Sequence, residues 1–127
     1  MNTWESGRES NLLDYIIAGR KTIEGRLNRD KFAKYKIGDE IWLRRDVRDA
    51  DGTLHDGEPH VALVKIIDIH HYKTFLELTT AEDFKKVIPY AKSAKQAADE
   101  YNKYYSNKDQ KKFGILAIEI KYLDLQS

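Results

Sequence analysis

Lys21, Thr22, Glu24 and Arg26 fall within six residues of one another, in the run Ala18-Gly19-Arg20-Lys21-Thr22-Ile23-Glu24-Gly25-Arg26-Leu27. If residues 22–27 form a strand, side chains alternate between its faces. Ile23, Gly25 and Leu27 then feed a core. Thr22, Glu24 and Arg26 form a polar row on the other face, with Lys21 at its mouth. Such a row can do three kinds of chemistry. A buried lysine loses proton affinity and acts as a base, with a neighbouring glutamate to hold or relay a proton. A lysine and an arginine together clamp a phosphate. The same residues also make a surface ion pair, with Glu24 and Arg26 two apart on one face, and such pairs contribute little.

A second group is aromatic. Tyr101, Tyr104 and Tyr105 lie close together, with Tyr72 and Tyr90 upstream. Rings of this kind stack on nucleobases or fill a core. Tyr101 has helical spacing to Ala94, Ala97 and Ala98 and reads as core. Tyr104 and Tyr105 are adjacent and cannot both face inward, so one is left for a ligand. The histidines (His55, His60, His70, His71) match no zinc spacing, and no metal site or cofactor is expected. The sequence contains no P-loop, no G-x-G-x-x-G and no G-x-S-x-G, which disfavours nucleotide-driven motors, dinucleotide enzymes and α/β-hydrolases.

The elements that must position these residues follow from patterning. Ser10 is placed to cap a helix over residues 11–18, with Leu12, Leu13, Ile16 and Ile17 as its apolar stripe. Gly19 suits the left-handed residue that closes such a helix. Residues 28–37 are polar, with one turn around Phe32 and Tyr35. Ile37-Gly38-Asp39 turns into a strand at 40–45. The Asp-Gly pairs of 46–59 mark a hairpin-like loop long enough to act as a lid. Residues 60–72 are apolar on both faces, as in a central strand. A short helix is expected around 74–78, then a second, capped by Thr79 with Glu82 and ending near Val87. Ser93 and Gln96 form a further capping box. The final strand, 113–123, puts Leu116, Ile118, Ile120 and Tyr122 on one face and Ala117, Glu119 and Lys121 on the other.

The 127 residues suit one α+β domain, spanning 1–127 with its core over about 10–123. No apolar run approaches the ~18 residues a membrane helix needs. There is no cysteine, and residues 1–10 lack the apolar centre of a signal peptide, so a cytoplasmic location without membrane contact is the expectation. Nothing in the chain indicates an oligomeric state. Net charge is +1, but residues 20–48 carry ten basic and five acidic side chains, a local +5. Residues 49–60 carry four acids and no Lys or Arg. A basic segment in a near-neutral chain points to an anionic partner such as nucleic acid.

Four segments in order resemble the ASCH domain, a family of the PUA-like superfamily. The first is the helix followed by Gly19-Arg20-Lys21-Thr22-Ile23-Glu24-Gly25-Arg26, similar to a G-x-K-x-x-E-x-R signature. The others are Ile37-Gly38-Asp39-Glu40-Ile41, the strand end Tyr72-Lys73-Thr74-Phe75, and Tyr101 through Phe113-Gly114-Ile115-Leu116-Ala117-Ile118. The resemblance implies a mostly antiparallel PUA-like β-barrel decorated with helices, with a polar cleft under the signature strand. It also implies binding of RNA or of a modified nucleoside or nucleotide. The residues expected to contact the ligand are Lys21, Thr22, Glu24, Arg26, Tyr72, Tyr101, Tyr104 and Tyr105. Some members are amidohydrolases of N4-acetylcytidine and others are linked to RNA cleavage, which gives the alternative of a small hydrolase with Lys21 as base and Glu24 orienting water or substrate. The amidohydrolase set is a Lys, a Thr three residues on and a distal Glu. Lys21 matches the first, Glu24 stands at the Thr position, and Glu77 and Glu82 lie in the region of the third. A third reading makes the signature row a structural ion pair in an interaction domain.

Overall fold

Alternation along the last strand divides the interior into two cores. In the computed structural model, which describes residues 1–124, that strand (β6, Ile115–Leu123) sends Leu116, Ile118 and Ile120 to one side. Ile115 and Ala117 go to the other. The expected single domain is drawn over 1–127, and its residues 125–127 lie outside the described residues.

The sheet path is β1-β3-β5-β6-β2, with a short β4 added to β3. Its strands are β1 (Thr3–Glu9), β2 (Ile23–Leu27), β3 (Glu40–Arg48), β4 (Leu54–His55), β5 (Ala62–Tyr72) and β6. Strand β5 is central, as its apolar run requires. The pairing is antiparallel except between β1 and β3, which are parallel. A register shift between Ile66 and Asp68 bulges β5.

The expected barrel is not closed. Strands β1 and β2 are the two ends of the path and exchange no ladder hydrogen bonds. They are joined by side chains instead, because Arg8 of β1 forms a buried ion pair with Glu24 of β2. A guanidinium reaching a carboxylate spans a gap that a backbone ladder would have to close.

Helix α1 (Ser10–Ile17) lays Leu13 and Ile16 into the core inside the curved sheet, with Ile41, Leu43, Val64, Ile66 and Ile118. Ser10 is its first residue rather than its cap, and its Oγ accepts from Arg45 Nη1 at 2.5 Å. Gly19 ends the helix at φ +77°, as expected, and Arg20 N–H returns to Tyr15 O at 2.9 Å. The turn therefore delivers Lys21 directly to the head of β2.

The remaining helices, α2 (Phe75–Ala81), α3 (Phe84–Val87), α4 (Ala94–Asn102) and α5 (Asn107–Phe113), lie after the central strand. Phe75, Leu78, Val87, Ala97, Ala98 and Tyr101 pack against Ile23, Leu27, Ile115 and Ala117 to form the second core. Ser93 caps α4 by accepting from Gln96 N–H, as the sequence indicates. Thr79 is no cap: it is buried inside α2, which Thr74 caps, and its hydroxyl donates to Ala94 O at 2.8 Å. Helix α3 is capped by Asp83 instead, whose side chain accepts from Lys85 N–H. Helix α5 occupies residues to which the sequence pattern assigns no element, except Phe113, expected at the start of the last strand.

Candidate active or binding cleft

Strand alternation separates the signature residues as expected. On one face of β2, Ile23 and Leu27 enter the helical core, and Gly25 lies against the rings of Phe75 and Tyr101. Tyr101 stacks on Phe75 with centroids 4.5 Å apart, and its hydroxyl accepts from Gly25 N–H at 3.2 Å. A Cβ at residue 25 would stand 3.0 Å from the Tyr101 ring and 3.1 Å from Phe75, so any side chain there would push these rings back by a few tenths of an ångström. Tyr101 is buried, and burial raises its hydroxyl pKa to about 12.

On the other face Glu24 is almost fully buried, at 1% exposure. The expected pair with Arg26 does not form. Arg8 takes both carboxylate oxygens of Glu24, with Nε donating to Oε1 at 2.5 Å and Nη2 donating to Oε2. Burial by itself would raise the Glu24 carboxyl, but the charges of Arg8 and Arg26, the Arg8 hydrogen bonds and Lys21 outweigh it and hold it at about 2. Glu24 is therefore an ionised anchor for Arg8. Arg26 points its Nη1 at Gly25 O, 2.8 Å away, and lies over the Phe32 ring at 5.4 Å. Among the described residues it forms no ion pair.

Lys21 is buried, and its Nζ donates to Ile23 O at 2.8 Å and Val87 O at 2.5 Å, tying β2 to α3. Burial pulls its ammonium from 10.5 to about 7. Glu24 opposes this, while Arg26 and Arg8 add to it. Two carbonyls use two of the three donors of an ammonium, and the third position remains for a ligand or a proton.

Lys21 and Arg26 line one cleft of about 310 Å³ together with Arg8 and Arg48. Its aromatic wall is Tyr90, Tyr101, Tyr104 and Tyr105; Glu100, Leu54 and Glu9 also line it, and Glu9 pairs with Arg48. Tyr104 is 74% exposed and Tyr90 is 49% exposed, whereas Tyr105 is half-buried and stacks on Phe75 at 5.4 Å. The expectation that one of Tyr104 and Tyr105 is left outside the core holds, and the one left is Tyr104. Leu54, on β4, brings the 46–59 loop to the cleft. Among the described residues no group of three or more His, Asp or Glu is placed to hold a metal ion.

A sequence model of the ASCH domain matches residues 10–124. The chain belongs to the ASCH domain family. Its fold is similar to the crystal structure of hypothetical protein PH0355, with 31% identity, a TM-score of 0.78 and coverage of 95% of this chain and 99% of that one. It is similar to protein PF0455 from Pyrococcus furiosus, solved by solution NMR, at 30% identity and TM-score 0.74 over 96% and 98% of the two chains. An ASCH domain from Lactobacillus crispatus JV V101 shares the fold at 14% identity and TM-score 0.64, over 95% of this chain and 79% of that one. No curated protein matches the sequence.

The ASCH signature thus brings Lys21, Arg26, Tyr101, Tyr104 and Tyr105 to one cleft and leaves three expected residues elsewhere. Glu24 lies behind the wall, held by Arg8. Thr22 opens on a second hollow with Lys86, Ile67 and Lys121, which Lys21 also borders from its other side. Tyr72 lies on a third, beside α2, where its hydroxyl donates to Glu82. Among the charged cleft residues, Arg8, Glu9, Arg48 and Glu100 escaped the sequence reading as site residues, and Tyr90 entered it only as a member of the aromatic group. Arg8 and Arg48 come from segments far from the signature, and the parallel pairing of β1 with β3 brings them together. No local pattern announces that pairing. The signal for Tyr90 is its place in the tyrosine group, just after the helix break at Pro89. No helix among the described residues is long and apolar enough to cross a membrane.

Proposed function

We propose that the cleft binds RNA or a modified nucleotide, with Arg26 and Lys21 on a phosphate or carbonyl and a tyrosine ring on the base. The observation that carries this reading is the disposition of charge. Arg8 neutralises Glu24 inside the wall, so Arg26 faces the cleft without a carboxylate of its own. Arg26 is half-buried and spends one donor on Gly25 O, and the remaining donors of such a planar fork are matched to oxyanions. Tyr104 and Tyr90 present exposed rings at the same cleft, and base–aromatic stacking is sequence-tolerant. Titrating UMP and N4-acetylcytidine into wild type and Arg26→Gln tests it. Removal of a charged hydrogen-bond donor should weaken UMP binding by roughly 10-fold or more. Equal affinity for the two proteins would contradict the assignment.

A second reading, a hydrolase using Lys21 as base, is favoured by one observation: burial leaves Lys21 near pH 7, where a base works best. Glu24 then acts through charge, since both of its oxygens are taken by Arg8. Turnover of N4-acetylcytidine that vanishes in a folded Lys21→Met protein would support this reading. Binding without turnover would leave the cleft as a reader.

A further inference from the structure

Outside the cleft, cations converge on two aromatic rings with few carboxylates to balance them. The Phe32 ring, on the 3-10 turn Asp30–Lys34, carries Arg26 at 5.4 Å and Lys31 at 5.5 Å. The Phe113 ring, at the end of α5, carries Arg29 at 5.5 Å and Lys112 at 5.1 Å. Arg29 also lies 3.5 Å from Asp109, which links the turn to α5. On α5, Lys108 and Lys112 are four residues apart and share a face. Asp30 and Asp109 both engage Arg29, so Lys108 and Lys112 form no ion pair among the described residues. Rings hold the cationic heads by cation–π attraction, Asp30 and Asp109 offset the charge of Arg29, and an external anion would relieve the repulsion among the remaining cations.

Arg26 belongs to both places, since it lines the cleft and lies over Phe32. We propose that a single-stranded RNA seated by one nucleotide in the cleft continues past Arg26 and lays its phosphodiester backbone along this track, over the 3-10 turn to the Lys108–Lys112 face of α5. The inference rests on the cleft reading and extends it: the ligand is a strand rather than a free nucleotide. The partner is a polyanion of repeating single charges, because the cations are spread along a path rather than gathered around one point. Stacking sites occur at the cleft end, which separates a nucleic acid from a base-free polyanion.

The test compares wild type with Lys108→Gln/Lys112→Gln, two exposed side chains outside the cleft. Affinities for fluorescein-labelled U12, for UMP and for inorganic polyphosphate are measured from 50 to 200 mM salt, with a melting curve to show that the variant is folded. Each phosphate neutralised on a single strand contributes about 0.7 to the slope of log K against log salt, so the double variant should lower the U12 slope by about 1.4. UMP affinity should stay the same, and polyphosphate should bind more weakly than U12. An unchanged U12 slope overturns the track while leaving the cleft reading standing. Equal loss for UMP and U12 also overturns it, since the lysines would then act on the whole protein. Polyphosphate binding as tightly as U12 overturns the assignment to an RNA strand. UMP failing to bind wild type, with the U12 slope still dependent on the lysines, removes the cleft reading and keeps the track.

Discussion

Replacing Arg8 by methionine should cost this domain more than any surface change, and the cost should depend on pH in a stated direction. Arg8 and Glu24 are 4% and 1% exposed, so removing the guanidinium strands a carboxylate in the interior. Breaking such a buried pair from one side typically costs ~3–5 kcal/mol. The titration gives a second route. Glu24 is lowered from 4.5 to about 2, and at ~1.4 kcal/mol per unit that depression contributes ~3 kcal/mol at neutral pH. This contribution is fully present above pH 4.5 and is lost as pH falls toward 2. In Arg8→Met, burial is opposed by Arg26 and Lys21 alone, so the carboxyl should rise above its ordinary value. The variant then loses stability as pH rises through that new value. The difference between the two proteins should therefore be ~3–5 kcal/mol at pH 7 and shrink by roughly half at pH 4. Urea unfolding at a series of pH values measures both. A deficit under ~1 kcal/mol, or one that does not change with pH, would refute the reasoning.

Other expectations concern the same strand. Lys21 binds its proton less well folded than unfolded, so between about 7 and 10.5 the unfolded chain holds more protons and stability should rise with pH. The rise should be seen up to pH 10, beyond which Tyr72 and Tyr101, both raised to about 12, reverse it. Lys21→Met should flatten the 7–10 limb in calorimetric melts. Gly25→Ala should destabilise by ~1–3 kcal/mol, since its Cβ meets the Phe75 and Tyr101 rings, and denaturant titration reads this directly. Asp39→Ala removes the acceptor for Asn2 N–H, Trp4 Nε1–H and Lys36 N–H, so it should cost ~2 kcal/mol or more and shift Trp4 fluorescence.

Local pattern revealed much of this structure and long-range pairing revealed little. The alternation of Ile23 to Leu27, the left-handed Gly19 and the capping Ser93 are set by near neighbours, and each is as the sequence indicates. Strand β1, Thr-Trp-Glu-Ser-Gly-Arg-Glu, has no apolar alternation. It becomes a strand because β3 pairs with it in parallel, a contact some 37 residues away. Arg8 was invisible for that reason, and with it the true partner of Glu24. Spacing pairs Arg26 with Glu24, but both carboxylate oxygens are taken by Arg8 from the opposite sheet edge. Helix α5 (Asn-Lys-Asp-Gln-Lys-Lys-Phe) lacks an apolar stripe and is held by the Ser106 cap and the buried Gln110, so periodicity could not find it. Among the tyrosines, adjacency shows that one of Tyr104 and Tyr105 must leave the core, but only the fold decides that it is Tyr104. Residue type groups Tyr72 with them, although its strand end lies beside α2.

The central claim is that the Lys21–Arg26 cleft receives a nucleotide. A heteronuclear NMR titration of the isotope-labelled protein with UMP tests it most directly. The account predicts saturable shifts at the Gly25 amide, the Arg26 guanidinium, the Tyr104 ring and the Lys21 Nζ, the groups that line or back the cleft. Shifts confined to the Thr22 or Tyr72 hollows, or none at saturating UMP, would contradict it.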